Sequence, residues 1–366
     1  MYNDDFLQKK LDERKQQNAL RQLRLPGILI DFCSNDYLGI VKNNLLQQHE
    51  IFHQPLKTGS GGSRLLAGNY TLVEETEKQI ASFHESEAAL IFNSGYAANT
   101  GLLSCIAQRG DIILYDYLSH ASIRDGIRLS FAQSFSFAHN DMADLEKKLQ
   151  VNKGKNIFIV TESVFSMDGD ICPLKDITTL AGKYNAHIIL DEAHAIGVTG
   201  NKGEGLAQHV QLHHKVFCRI YTYGKGPGCH GAAVAGSQQL RNYLINFARS
   251  FIYSTSLPEH AVAAVTAAYQ IFPFMNDERK HLHALISFFQ SSQTRFNKFI
   301  SHTPIQVIMV PGNDEIKELA HTLQQGGFDV RPILYPTVPK GSERLRIVLH
   351  SFNTMHEMQQ LIQMLV

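Results

Sequence analysis

The sequence predicts an α/β protein: a large domain on a mostly parallel central sheet, then a small C-terminal α+β domain. Three observations carry that reading. Seven short β-rich runs alternate with helix-like stretches between residues 88 and 236, the pattern that lays a parallel sheet between helices. The pattern restarts near residue 280. And 366 residues suffice for one large core and a second, smaller one.

The elements follow in order. Residues 4–24 carry Phe6, Leu7, Leu11, Leu20 and Leu23 as a partial apolar stripe amid charges, which predicts an amphipathic helix. The β-rich runs are Ala88–Asn93, Asp111–Asp116, Ser134–Ala138, Asn156–Thr161, His187–Asp191, Val216–Thr222 and Ala232–Gly236. Residues 71–84, 95–108, 120–130, 141–150 and 174–185 are helix-like between them, and 237–271 read as helical. Beyond 280 come a helix, "IQVIMVPG", a helix near 313–326, "FDVRPILYP", "RLRIVLHS" and a last helix. The expected division is an N-terminal helix and arm over 1–45, a large domain over 46–275 and a small domain over 276–366.

Charge and cysteines narrow the function. Lys plus Arg and Asp plus Glu both number 34, so no basic excess points to nucleic acid or an anionic membrane. Five cysteines form no CxxC pair, which suits a reduced, cytoplasmic setting better than a disulfide framework. The N-terminus is polar and charged, without a signal-peptide core. No run of about 18 apolar residues suggests a membrane span. No metal is called for.

Ligands of open α/β sheets gather at the carboxyl ends of the strands, so the residues just after each run are the informative ones. "YTYGKGPGCHG" sets Lys225 among glycines, with Thr222 three places earlier. It is not a phosphate loop of the GxxxxGK[ST] type, because Arg219 stands at the first glycine position and Gly226 follows the lysine. It reads either as a surface turn or as a loop whose lysine reaches a carbonyl. "HIILDEAHAIG" delivers Asp191 and His194 at a strand end. "IFNSGYAANTG" opens a helix at Ser94, Gly95 and Tyr96, where backbone N–H groups and the helix dipole favour an anion. His120 stands at another helix start, and "TESVFSMDGD" places Glu162, Ser166 and Asp168 in a turn.

One ligand accounts for these groups together: pyridoxal 5′-phosphate (PLP). Its phosphate suits the Ser94–Tyr96 helix start and its aldehyde suits Lys225. Its ring nitrogen suits Asp191, which keeps it protonated and the ring an electron sink. Its face suits a stacked His120, and His194 could reach its 3-oxygen. The glycines beside Lys225 would let the loop come close to the ring.

The blocks "SNDYLGI", "TGSGGSRLLAGN", "FNSGYAANTG", "LSHAS", "TESVFSMDGD", "LDEAHAIGVTG", "TYGKGPGCHGAAVAGS", "YSTSLP" and "RPILYPTVPKGSERLRIVL" together resemble the α-oxoamine synthases. These are fold-type I PLP-dependent transferases that join an amino acid to an acyl thioester with loss of CO2. The resemblance runs from about residue 11 to 352. It is strongest to the branch of biotin biosynthesis that uses L-alanine and a pimeloyl thioester, on CoA or on an acyl carrier protein. Glycine-using and serine-using sister enzymes are the alternatives. The resemblance implies that Lys225 holds the cofactor covalently and serves as base, and that Asp191 and His120 complete the catalytic set. It implies cofactor contacts from Ser94, Gly95, Tyr96, Ser166, His194 and Thr222, and from Thr255 of a neighbouring subunit in a homodimer. It gives substrate contacts to Arg21, Asn35, Ser63, Thr337 and Arg346, with Arg344 on the same strand face as Arg346. The sequence departs from the family pattern in three places. Pro227 follows the lysine closely, the segment after the first helix is short, and the C-terminus stops soon after its last helix.

Overall fold

The computed structural model describes residues 4–23, 25 and 27–366. The chain divides into two compact units. The larger comprises Asp36–Ser166 and Ile171–Arg279; the smaller comprises Met1–Asn35, Met167–Asp170 and Lys280–Val366.

The larger unit is built on seven strands: β1 (Ala88–Phe92), β2 (Ile112–Asp116), β3 (Gln133–Phe137), β4 (Ile157–Glu162), β5 (His187–Asp191), β6 (Cys218–Thr222) and β7 (Ala232–Gly236), in the spatial order β1-β7-β6-β5-β4-β2-β3. Pairing is parallel from β6 through β3 and antiparallel on both sides of β7. Six strands therefore point one way and only β7 runs against them.

Burial on both faces explains why the strands other than the edge strand β3, which is largely exposed, read as mostly apolar runs. Ile189 and Ile220 enter one core with Leu102 and Ile123 from the helices α1 (Gly95–Ile106) and α2 (Ala121–Leu129). Their neighbours Ile188 and Leu190 pack on the opposite face with Leu145 and Ile177. Tyr221 and Ile91 join Val73, Ile80 and Val262 in a third core.

The smaller unit holds a three-stranded antiparallel sheet, β8 (Ile305–Met309), β9 (Arg331–Ile333) and β10 (Arg344–Val348), with β10 in the middle. Ile30–Asp31 pairs in parallel with Phe328–Asp329.

Two helices end sooner than the sequence pattern predicts. The helix expected over 4–24 spans Asp5–Gln16. Asn18 takes a left-handed φ of 50°. Its N–H bonds to the Lys15 carbonyl and the Ala19 N–H bonds to that of Arg14, the double closure that ends a helix. The apolar stripe continued past this point, but the side chain at 18 favours the turn. The stretch 237–271 splits into Gln238–Phe247, Arg249–Ile252 and Glu259–Ile271, because Pro258 precedes the last of these and excludes helix before it.

Candidate active site

The carboxyl ends of β1, β2, β4, β5 and β6 carry the residues singled out above. The register sets Glu162 beside Asp191 and Asp191 beside Ile220, so the ends of β4, β5 and β6 form one edge. Past β6 the chain turns at once. The Gly228 N–H bonds to the Lys225 carbonyl at 2.8 Å, and the Lys225 Nζ donates to Thr222 Oγ1 at 3.2 Å.

Two of the glycines around Lys225 also serve the packing of the protein itself. A Cβ on Gly226 would lie 2.5 Å from the Ile196 carbonyl oxygen, and one on Gly228, whose φ is +66°, would lie 2.6 Å from Ile40. They let the lysine loop pack on its own protein. Gly95 does serve an approach at the site, since its added Cβ would fall 2.3 Å from Thr222 Cγ2. The start of α1 is thereby drawn against the threonine that meets Lys225. Ser94 caps this helix, its hydroxyl accepting from the Ala97 N–H at 3.1 Å. The Tyr96 hydroxyl turns away to the Asp125 carboxylate, so Tyr96 offers the site its backbone.

Asp191 is 4% exposed. Its Oδ1 accepts the Ala193 N–H at 2.9 Å and its Oδ2 accepts the Asn99 amide at 2.8 Å. Its charge and that of Lys225 both act on His120. The surrounding protein holds His120 below the usual imidazole range; Asp191 opposes this, while Lys225 and Arg124 reinforce it. The His120 backbone N–H donates to Glu162 Oε1 at 2.6 Å. Burial, then the Asp191 charge, pushes the Glu162 carboxyl well above the usual range. The buried His194 ring meets the Tyr37 hydroxyl through Nδ1 at 2.6 Å. Ser166 lies half-buried just after β4. Ser63 and Thr255 face each other across a β-bridge, and the Thr255 carbonyl accepts the Asn93 amide at 2.7 Å.

The smaller unit holds the remaining substrate candidates. Arg346 donates to Asn35 Oδ1 at 2.9 Å. Arg344, on the same face of β10, is buried against Asp168 and stacks 5.2 Å from the Phe299 ring centroid. The two arginines are thus told apart: Arg344 is a structural ion pair, and Arg346 is the half-buried one. Arg21 donates to Thr337 Oγ1 at 3.1 Å. Both line a cavity of about 730 Å³ that also receives Arg14, Lys317 and His321.

Tyr37 and Asn99 were not assigned from sequence. Asn99 follows Gly95 by four residues, one helical turn along the same face, and that spacing was the signal available. The set as a whole suits PLP: a lysine for its aldehyde, a buried carboxylate for its ring nitrogen, and a tight helix start beside a threonine for its phosphate.

A strand-edge lysine, acid and imidazole on a sheet of this order define a class. The chain belongs to the aminotransferase class I and II family, whose model matches residues 27–365. Within that class, a Lysinibacillus sphaericus protein named 8-amino-7-oxononanoate synthase is 38% identical over 376 residues, 98% of this chain and 96% of its own. A protein of the same name from Citrifermentans bemidjiense is 42% identical over 334 residues, 90% of this chain and 86% of its own. Among solved structures, a serine palmitoyltransferase from S. paucimobilis with a bound PLP–myriocin adduct matches with a TM-score of 0.87 at 25% identity, covering 99% of this chain and 96% of that one.

Proposed function

We propose that the protein carries out the 8-amino-7-oxononanoate synthase reaction of biotin biosynthesis. A bond forms between the Cα of L-alanine and the thioester carbon of pimeloyl-CoA or pimeloyl carrier protein. The thiol leaves, the alanine carboxylate departs as CO2, and Cα regains a proton. The observation that carries this reading is Lys225, Asp191 and His120 at one sheet edge, in a chain 38–42% identical to synthases of that name.

PLP, when bound, supplies the electron sink for the charge left at Cα. The chain's residues do the rest. Lys225 would hold the cofactor through its Nζ and would take the Cα proton of alanine as base. Asp191 would face the ring nitrogen, its carboxylate oriented by the Ala193 and Asn99 N–H donors. His120, held below its usual imidazole range by burial, would stack on the ring and donate a proton. Ser94, Gly95, Tyr96 and Thr222 hold the phosphate, joined by Thr255 from the second subunit of a homodimer. Ser166 and His194 approach the ring 3-oxygen. Arg346, steadied by Asn35, takes the amino-acid carboxylate; Ser63, Thr337 and Arg21 take the acyl donor. The protein would work in the cytoplasm. Among the described residues no helix is long and apolar enough to cross a membrane.

The test is the absorption spectrum of the PLP-loaded protein before and after L-alanine and pimeloyl-CoA are added. The expected result is a visible lysine-linked band, lost in Lys225→Ala, and a transient longer-wavelength band that needs both substrates. A protein that takes up no PLP overturns the proposal. A response to glycine or serine but not alanine moves the function to a sister enzyme.

A further inference from the structure

Asn99 is out of place by every local criterion. It sits inside α1, where asparagine is a poor helix former. It is 2% exposed, and its Oδ1 is buried without a hydrogen-bond partner among the described residues, an arrangement that destabilises a fold. An alanine there would remove both burdens. What Asn99 does supply is two donors, and both are used. Its Nδ2 lies 2.8 Å from Asp191 Oδ2 and 3.0 Å from Ser122 Oγ. Ser122 Oγ in turn lies 2.7 Å from His120 Nδ1, and the Ser122 backbone N–H donates to that nitrogen at 3.2 Å.

Two consequences follow. His120 Nδ1 is an acceptor, so the neutral ring carries its proton on Nε2. And the strand-end acid is joined to the helix-start imidazole by a chain of two small polar side chains. Close helix packing makes the reach possible. A Cβ on Gly126, one turn beyond Ser122, would lie 2.8 Å from the Asn99 carbonyl oxygen.

We propose that Asn99 and Ser122 are positioning residues, a bridge that fixes the Asp191 carboxylate and the tautomer of His120 in one frame. The Asn99 amide donates to Asp191 and to Ser122, and Ser122 seats the His120 ring. This deepens the functional reading and rests on it for what Asp191 and His120 face.

The experiment uses Asn99→Leu, of similar size with no donor, and Ser122→Ala, with Asn99→Gln as the conservative variant. In holoenzyme loaded with 15N-labelled PLP, the ring-nitrogen resonance of Asn99→Leu is expected to move toward that of unprotonated pyridine. Its kcat falls tenfold or more while KM for alanine stays within about twofold, and Asn99→Gln recovers part of both. In PLP-free protein with 15N-labelled histidine, the His120 ring signals, identified by their loss in His120→Gln, are expected to show the Nε2–H tautomer. They shift to a mixture in Asn99→Leu and Ser122→Ala. If Asn99→Leu melts as cooperatively as the parent and leaves both signals and kcat unchanged, the bridge is only packing and the proposal fails. A parent protein that takes up no PLP defeats the functional reading, and the cofactor-free histidine spectrum then decides the bridge alone.

Discussion

Gly95→Ala tests the closest approach at the site. The new methyl would fall 2.3 Å from Thr222 Cγ2, whereas ordinary contact begins at 3.4 Å, so α1 and β6 would have to part by about 1.1 Å. Thr222 is buried and holds its hydroxyl 3.2 Å from Lys225 Nζ, so the threonine cannot turn away without disturbing the lysine. Overpacking of this kind costs about 1–3 kcal/mol, and a displacement near 1 Å at a catalytic group can cost about 100-fold in rate. Thr222→Ser removes Cγ2 and leaves only Cβ, at 3.3 Å. In that background the same Gly95→Ala change should be neutral, or stabilising by about 0.4–1 kcal/mol through the less flexible unfolded chain. Urea unfolding of the four proteins at one protein concentration, with PLP affinity measured alongside, gives the coupling directly. The expected coupling is about 1–3 kcal/mol. A Gly95→Ala loss that is the same in both backgrounds, or within about 0.5 kcal/mol of zero in the parent, would refute the steric argument.

Four further predictions concern charge. Burial and the Asp191 charge raise the Glu162 carboxyl well above its ordinary 4.5, so its contribution to stability is complete below that pH and is lost as pH rises toward its folded value. Glu162→Gln keeps an acceptor for the His120 N–H, and its melting temperature should fall less than the parent's from pH 5 to pH 9. Burial and the nearby Arg219 charge hold His84 well below its ordinary 6.5, where it stacks 3.6 Å from Tyr221 and bonds to Tyr269 at 2.8 Å. Stability should therefore fall on acidification below about 6.5, and unfolding of His84→Gln should show a shallower acid slope. Asp168→Ala strands the buried Arg344 and should cost about 3–5 kcal/mol in urea unfolding. Arg346→Ala should melt near the parent and instead raise KM for alanine.

The sequence by itself determined the order of the elements and singled out the candidate reactive groups. Short β-rich runs between helical stretches, mostly apolar because most strands bury both faces, made the seven strands legible to within two residues. The residues after them stood out because charge at a strand end needs a reason. Tertiary structure decided what local pattern does not encode. It ended the first helix at Gln16, because the Asn18 turn outweighs a continuing stripe. It separated Arg344 from Arg346, whose shared face is the same in sequence and whose partners, Asp168 and Asn35, lie more than 170 residues away. It gave Gly226 and Gly228 a packing role, because the atoms they make room for include those of Ile196 and Ile40. And it brought Asn99 to Asp191 across 92 residues, a contact fixed by how α1 lies on the sheet. Hydrogen-bond partners are chosen by packing in three dimensions, and packing is what a linear pattern leaves open.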